Sequence, residues 1–343
     1  MAAIVECVPN FSEGRDLSVI ERIAGSIASR GCKLLHQDAG YDANRTVITF
    51  AGEPEDVFQG AFAAVRTASQ LIDMSLHHGA HPRSGATDVL PLVPVSGITL
   101  AECAAMARSL AEKIFLELGI PCYLYGEAAL TPTHYLLEDC RRGEYEALPS
   151  KTASAALRPD FSERIFTLQA KRSGAINVGA RGFLIAVNFN LDTEDVGVAK
   201  SIALDVRARG RQKKDAAGLP VLGKDGKPQM IPGLLPGCKA IGWYMEEYGC
   251  AQVSMNITDI CLTPLHTAYD TVCRQAQLRG HRVTGTEIIG LVPARVLVDA
   301  GRHFAGKDCK ADDYDLMELA CEKMGLGTIK PYDIRRRVIE FLL

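Results

Sequence analysis

Apolar and polar positions along this chain switch between a period near 3.6 and a period of 2, and each switch marks an element. "AIVECVPNF" is a short apolar run closed by a turn, which predicts a strand. "RDLSVIERIAGSIASRG" has apolar residues at helical spacing, with Gly31 as a stop. "KLLHQD" and "RTVITFAG" read as strands on either side of a Gly-Tyr-Asp-Ala-Asn turn. "EPEDVFQGAFAAVRTASQLI" predicts a helix, with Pro54 near its start and acids in its first turn. "DVLPLVPV" is extended, "TLAECAAMARSLAEKIFLELG" is another helix, and "PCYLYGEAA" is a strand. The order is β-α-β-β-α-β-α-β.

A second series begins near Gly182. "GFLIAVNFNL" predicts a strand and "TEDVGVAKSIALDVRARG" a helix, followed by a loop over 209–236 rich in Gly, Pro and Lys. "CKAIGWYM" and "AQVSMNITD" are strands, "TPLHTAYDTVCRQAQLRG" a helix, "VTGTEIIGLVP" a strand and "ARVLVDAGRHF" a helix. Both series contain β-α-β-β-α-β, the ferredoxin-like or split βαβ pattern. They share no motif, so the repeat is one of element order. The fold class expected is α/β (α+β), with two subdomains, 1–180 and 181–343, each a mixed sheet with helices packed on it. The stretch 149–181 has Pro, Ser and charge with weak periodicity and reads as the connector. Ligand sites favour such boundaries.

Composition narrows the class. With 343 residues, 47% hydrophobic and 23% charged, the chain is globular and long enough for two cores. A net charge of −3 argues against a nucleic-acid binder. The basic run "RARGRQKK" reads as a solvated face, or as help in holding an anionic ligand. The start has no signal-peptide pattern, and no stretch approaches the ~20 apolar residues of a membrane span. Eleven scattered cysteines without a C-x-x-C pair suggest reduced, mostly buried thiols and a cytoplasmic protein. "GLPVLGKD" resembles a phosphate loop only through its lysine, since Asp225 follows and neither strand nor helix flanks it.

Three of the eight histidines crowd into "HHGAHPRSG": His77, His78 and His81. On a helix His77 and His81 would share a face, but Gly79 and Pro82 argue against a helix. The H-E-x-x-H glutamate is absent. A metal here would need Asp73 or Asp88 as oxygen ligands, and the expectation is no metal.

A set of unusual stretches runs in order: "VECVPNFSEG", "DAGYDANRTVITFAG", "HHGAHPRSGATDVLPLVPV", "YLYGEAA", "RRGEYEALPSK", "PDFS", "GARGFLIAVNFNL", "AIGWYMEEYGCAQVSMNITD" and "GTEIIGLVP". Together they resemble glutamate formimidoyltransferase, the formiminotransferase part of formimidoyltransferase-cyclodeaminase, from Val5 to the C-terminal "PYDIRRRVIEFLL". The resemblance implies transfer of a formimidoyl group from N-formimidoyl-L-glutamate to tetrahydrofolate, a co-substrate, giving 5-formimidoyl-tetrahydrofolate and L-glutamate. It implies two α/β subdomains with folate in a tunnel between them, and a homodimer. The chain ends at Leu343, so a cyclodeaminase is expected on a separate polypeptide. The alternatives are formyl transfer from N-formylglutamate, a metal-dependent amidohydrolase, and a folate-binding protein without catalysis. No nucleic acid or membrane is expected as a partner.

The family's catalytic histidine lies in its H-P-R motif, here His81. Position 80, often Glu in the animal enzymes, is Ala80, and Ser84 and Thr87 also depart from the family's apolar residues. The resemblance places folate contacts in the segment from Ser162 to Gly174, at Ser162, Glu163, Arg164 and Gly174, although the sequence match there is poor.

The chemistry asks for more. One histidine of ordinary pKa about 6.5 can take the proton from N5 of the pteridine and give it to the departing glutamate nitrogen. The formimidoyl group is cationic, and Asp38, before Gly40, is a candidate counter-charge; its bland reading is a turn aspartate. The donor's carboxylates call for arginine, and Arg45 and Arg83 stand in matched motifs, each otherwise paired with a local acid. Asn10, Asn188, Asn190 and Asn256 lie in or beside strands, where asparagine is depleted, and are candidates for the pterin's polar edge.

Overall fold

The computed structural model describes residues 2–41, 43–79, 82–306 and 309–343. Its contacts separate two units, one running to Gly182 and the other Phe183–Leu342.

In the first unit, β1 (Ile4–Cys7), β2 (Asn10–Phe11), α1 (Leu17–Ala28), β3 (Lys33–Gly40), β4 (Arg45–Gly52), α2 (Pro54–Leu71) and β5 (Thr87–Ser96) trace the split βαβ pattern. β1 and β2 lie along one line broken at Val8–Pro9. Both pair antiparallel with β4 on one side and β5 on the other, and β3 pairs with β4. The break accommodates Pro91, inside a strand with neighbours on both sides. Proline lacks the N–H a central strand needs and is tolerated there only at an irregularity. The Pro91 carbonyl accepts from the Val8 N–H at 3.3 Å. In an extended residue N and C=O point the same way, so the missing donor also faces the break.

The helices cover one face of this sheet. Asp16 caps α1, its carboxylate accepting from the Ser18 and Val19 N–H groups. Ile20, Ile23, Ala24 and Ile27 turn inward against Phe11, Ile48 and Phe50. A cap contributes about 1 kcal/mol, whereas each buried isoleucine contributes roughly 1.5–3 kcal/mol, so packing decides this helix. It ends at Ala28, earlier than the sequence suggests. Gly31, with φ +86°, makes the turn into β3. α3 (Leu100–Leu118) opens on a capping box between Thr99 and Glu102 and closes on Gly119 in the left-handed region.

The connector reading needs correction. β6 (Cys122–Gly126) does not pair with β5. α4 (Leu137–Arg141), α5 (Leu148–Ala153) and α6 (Leu168–Ser173) follow it, and then β7 (Ile176–Ala180) inserts between β5 and β6, parallel to both. The stretch 149–181 therefore supplies two helices and an interior strand. "INVGA" is five residues, buried throughout, and carries no alternation to reveal it.

The segment carrying α4 and α5 covers the other face of β5, β7 and β6, where Val89, Tyr123, Tyr125, Cys140 and Leu148 form a small core. Lys151 is buried there. Its ammonium donates to the carbonyls of Cys140 and Arg142 at the end of α4 and lies 4.6 Å from the centre of the Tyr123 ring. It thereby satisfies carbonyls that a helix end leaves open, while burial pushes its pKa down.

The second unit contains β8 (Ile185–Leu191), α7 (Val196–Val206), β9 (Arg211–Gln212), β10 (Met230–Ile231), β11 (Cys238–Met245), β12 (Cys250–Ile257), α8 (Leu265–Gln277), β13 (Val283–Ile289), α9 (Ala294–Ala305), α10 (Asp313–Met324), α11 (Ile334–Arg337) and α12 (Ile339–Leu342). The main sheet runs β11-β12-β8-β13, all antiparallel, which is the split βαβ order without added strands. Val187, Phe189 and Leu191 face the helices. The 209–236 region holds the β9–β10 ribbon and is mostly exposed. All eleven cysteines are free thiols, six of them buried. Among the described residues no helix is long and apolar enough to cross a membrane.

Candidate active site

The first unit's sheet is apolar towards α1, α2 and α3; its opposite face carries the small apolar core over β5, β7 and β6, and polar side chains on β2, β3 and β4. Residues facing each other in register share a face. Val47 on β4 stands opposite Asn10 on β2 and Asp38 on β3, and Asn10 stands opposite Val89 on β5. Arg45, two residues before Val47, is on the same face. Asp38 is exposed, and among the described residues nothing pairs with its carboxylate. Asn10 donates to the Val8 carbonyl at 3.0 Å and its side-chain oxygen accepts from Arg45 Nε at 3.1 Å.

Asp88 organises this face. It sits where the β2–β5 register shifts and has no exposed surface. Its Oδ2 accepts from Arg45 Nη1 at 2.5 Å and from Arg141 Nη2 at 2.7 Å, and its Oδ1 accepts from the Ser84 N–H at 2.8 Å. Arg45 is nearly buried, and desolvation, with Arg141 beside it, lowers its pKa despite Asp88. Arg83, the other arginine singled out in the sequence, engages local acids. Its Nη1 and Nη2 donate to Glu146 at 2.8 and 2.6 Å, and Nη1 also reaches Glu144 Oε2 at 3.2 Å. The Arg83 guanidinium holds the Glu146 carboxyl below the usual range.

His81 and Ala80 lie outside the described residues. The segments on either side are firmly held. Asn44, in the left-handed region at φ +46°, is the hub on one side. Its Oδ1 accepts from the Gly14 N–H at 3.0 Å, and its Nδ2 donates to the His78 carbonyl at 2.9 Å. Its own carbonyl lies 2.9 Å from His77 Nε2. A carbonyl can only accept, so His77 carries its proton on Nε2. Burial lowers the pKa of His77 and keeps it neutral. On the other side, the N–H groups of Arg83 and Ser84 are taken by Glu144 and Asp88.

Gly174, expected as a folate contact, has a packing function. At φ +69°, it lies against the 84–85 backbone so closely that a Cβ would sit 2.2 Å from the Ser84 carbonyl oxygen. Gly174→Ala should destabilise the first unit by about 2 kcal/mol or more, from left-handed strain plus the clash. Its melting temperature tests this; an unchanged value would mean that the two strands part freely. Ser162 bonds the Pro159 carbonyl at 3.2 Å, and Glu163 and Arg164 are exposed.

The remaining asparagines belong to the second unit. Asn188 and Asn190 occupy the face of β8 away from its helices. Asn188 donates to Glu287 Oε2 at 3.2 Å, and Asn190 accepts from the fully buried Gln252, whose Oε1 takes the Trp243 indole N–H at 2.8 Å. These amides therefore bond side chains rather than backbone. Asn256, opposite Ala186, is exposed. The sequence reading singles out neither Arg141 nor Asn44, and it takes Asp88 as a possible oxygen ligand for a metal rather than as the partner of two arginines. The left-handed preference of asparagine in a tight turn was the one available signal, at Asn44.

Comparison with known proteins completes the picture. A family model described as "Formiminotransferase domain, N-terminal subdomain" matches residues 4–181, and one described as "Formiminotransferase domain" matches 186–343. The chain belongs to the formiminotransferase family. Among the relatives of this chain, the glutamate formimidoyltransferase of Streptococcus pyogenes serotype M1 is 37% identical, over 95% of this chain and 100% of its own length. That of Thermoplasma acidophilum is 35% identical over 94% of this chain and 98% of its own. The formimidoyltransferase-cyclodeaminase of Sus scrofa is 44% identical over 100% of this chain, which spans 60% of that relative's length.

Proposed function

We propose that this chain transfers the formimidoyl group from N-formimidoyl-L-glutamate to tetrahydrofolate. The supporting observation is 37% identity to a glutamate formimidoyltransferase over that relative's whole length. In this reading the nitrogen N5 of tetrahydrofolate attacks the amidine carbon. A new N5–C bond forms, and the bond from that carbon to the glutamate nitrogen then breaks. The N5 proton passes to His81 and from His81 to the departing nitrogen. Asp38 faces the cationic formimidoyl carbon, and the polar face holding Asn10 and Arg45 contacts the donor. Asn188, Asn190 and Asn256 serve the pterin edge, with Ser162, Glu163 and Arg164 along the folate tail. No metal takes part. Residues 1–180 and 181–343 act as two subdomains of a cytoplasmic homodimer, and a cyclodeaminase consumes the product.

The geometry that supports this reading is the anchoring of both flanks of the H-P-R segment, since a general acid–base must be held in place to work. The test is an assay of purified protein with tetrahydrofolate and either N-formimidoyl-L-glutamate or N-formyl-L-glutamate, with and without chelator. Turnover with the formimidoyl donor, insensitive to chelator, is expected. Preference for the formyl donor, or loss of activity on chelation, would overturn it.

A further inference from the structure

At Asp88 two largely buried guanidiniums bond a single carboxylate. Two guanidiniums, Arg45 and Arg141, share one carboxylate oxygen, and the other oxygen is taken by the Ser84 N–H. Each guanidinium has five N–H donors. Among the described residues Arg45 uses one at Nε, towards Asn10, and one at Nη1, while Arg141 uses one at Nη2. Arg141 Nε is buried and has no acceptor among the described residues. The acids Glu144 and Glu146 do not restore the balance, because they face Arg83 and are substantially exposed to solvent.

Holding two cations together out of water is costly unless an anion joins them. We propose that Arg45 and Arg141, oriented by Asp88, form a subsite for a carboxylate of the amino-acid donor. The inference rests on the reading of this chain as a glutamate-releasing transferase and adds to it where the amino acid binds. Three features suit a carboxylate. The donors are planar guanidiniums, which match two carboxylate oxygens. Asp88 fixes both guanidiniums, so little ordering is left to binding. The cluster is also tied to the chain just after the H-P-R motif, because the Ser84 N–H bonds Asp88 directly. Lys151 supports the arrangement from behind by closing the end of α4, the helix that carries Arg141.

The subsite predicts affinity for the bare product. Wild-type protein should bind L-glutamate in isothermal titration calorimetry and bind the corresponding diamide far more weakly. Arg141→Met removes one cation and leaves the Arg45–Asp88 pair intact. It should weaken L-glutamate binding about tenfold or more and raise KM for the formimidoyl donor by a similar factor, with KM for tetrahydrofolate little changed. Arg141→Lys should recover part of the affinity. Equal affinity of wild type and Arg141→Met for L-glutamate overturns the subsite, as does equal binding of glutamate and diamide to wild type. Should wild type bind glutamate yet turn over neither donor, the proposed reaction fails while the subsite stands.

Discussion

Asp88→Asn should lower the melting temperature of the first unit by roughly 6–20 °C, the equivalent of about 3–5 kcal/mol. The side chains are nearly the same size, so no cavity explains the loss. What changes is charge. Arg45 and Arg141 would face each other with no counter-ion, one nearly buried and the other mostly so. The amide nitrogen of asparagine would also point a donor at a donor, either at a guanidinium or at the Ser84 N–H. If this electrostatic account is right, adding Arg141→Met to Asp88→Asn should return part of the lost stability, because one of the two stranded cations is gone. A double variant no more stable than the single one would mean that Asp88 matters through packing. A loss below about 1 kcal/mol would show that water reaches and screens the cluster.

The second large effect concerns turnover. His81→Ala should reduce kcat by at least about a hundredfold, the scale of a general acid–base contribution, with stability little altered. Two neighbours sharpen the prediction. His77 is buried, neutral and tied through Nε2 to the Asn44 carbonyl, so it is unsuited to carry a proton to substrate. His78 is exposed, and its carbonyl is held by Asn44 Nδ2. His77→Ala should act mainly on stability and His78→Ala on neither. Wild-type kcat in His81→Ala, together with its loss in either neighbour, would move the role to that neighbour.

Much of the fold was legible because its signals are local. Helices α1, α2, α3, α7, α8 and α9 have an apolar stripe of the right period, and Thr99, Pro54 and Gly119 punctuate them. The strand order of each half follows once β-α-β-β-α-β is recognised, since that sequence of elements has few ways to close. β7 was not legible. Its five residues are buried on both faces and are preceded by a polar stretch, so no periodicity marks them. The site was legible only in part, for a related reason. Arg45 and Arg83 stood out as charged residues in distinctive motifs, but which acids they face depends on contacts far apart in the chain. Asp88 meets Arg45 across 43 positions and Arg141 across 53. Arg141 read as one more surface charge of a short basic-acidic stretch, until α4 brought it back over the sheet.

The late arrival of β7 has a consequence for how the first unit is made. On a ribosome, every strand of the split βαβ core is available to pair once β5 has emerged. β6 follows soon after but has no strand to join, because its pairing partner lies about fifty residues further along. Through that interval the nascent chain exposes two unpaired strand edges, on β5 and on β6, of the kind that invites wrong pairing. A single five-residue strand then zips both at once. The first unit's sheet can therefore close only after the chain has been made past residue 180.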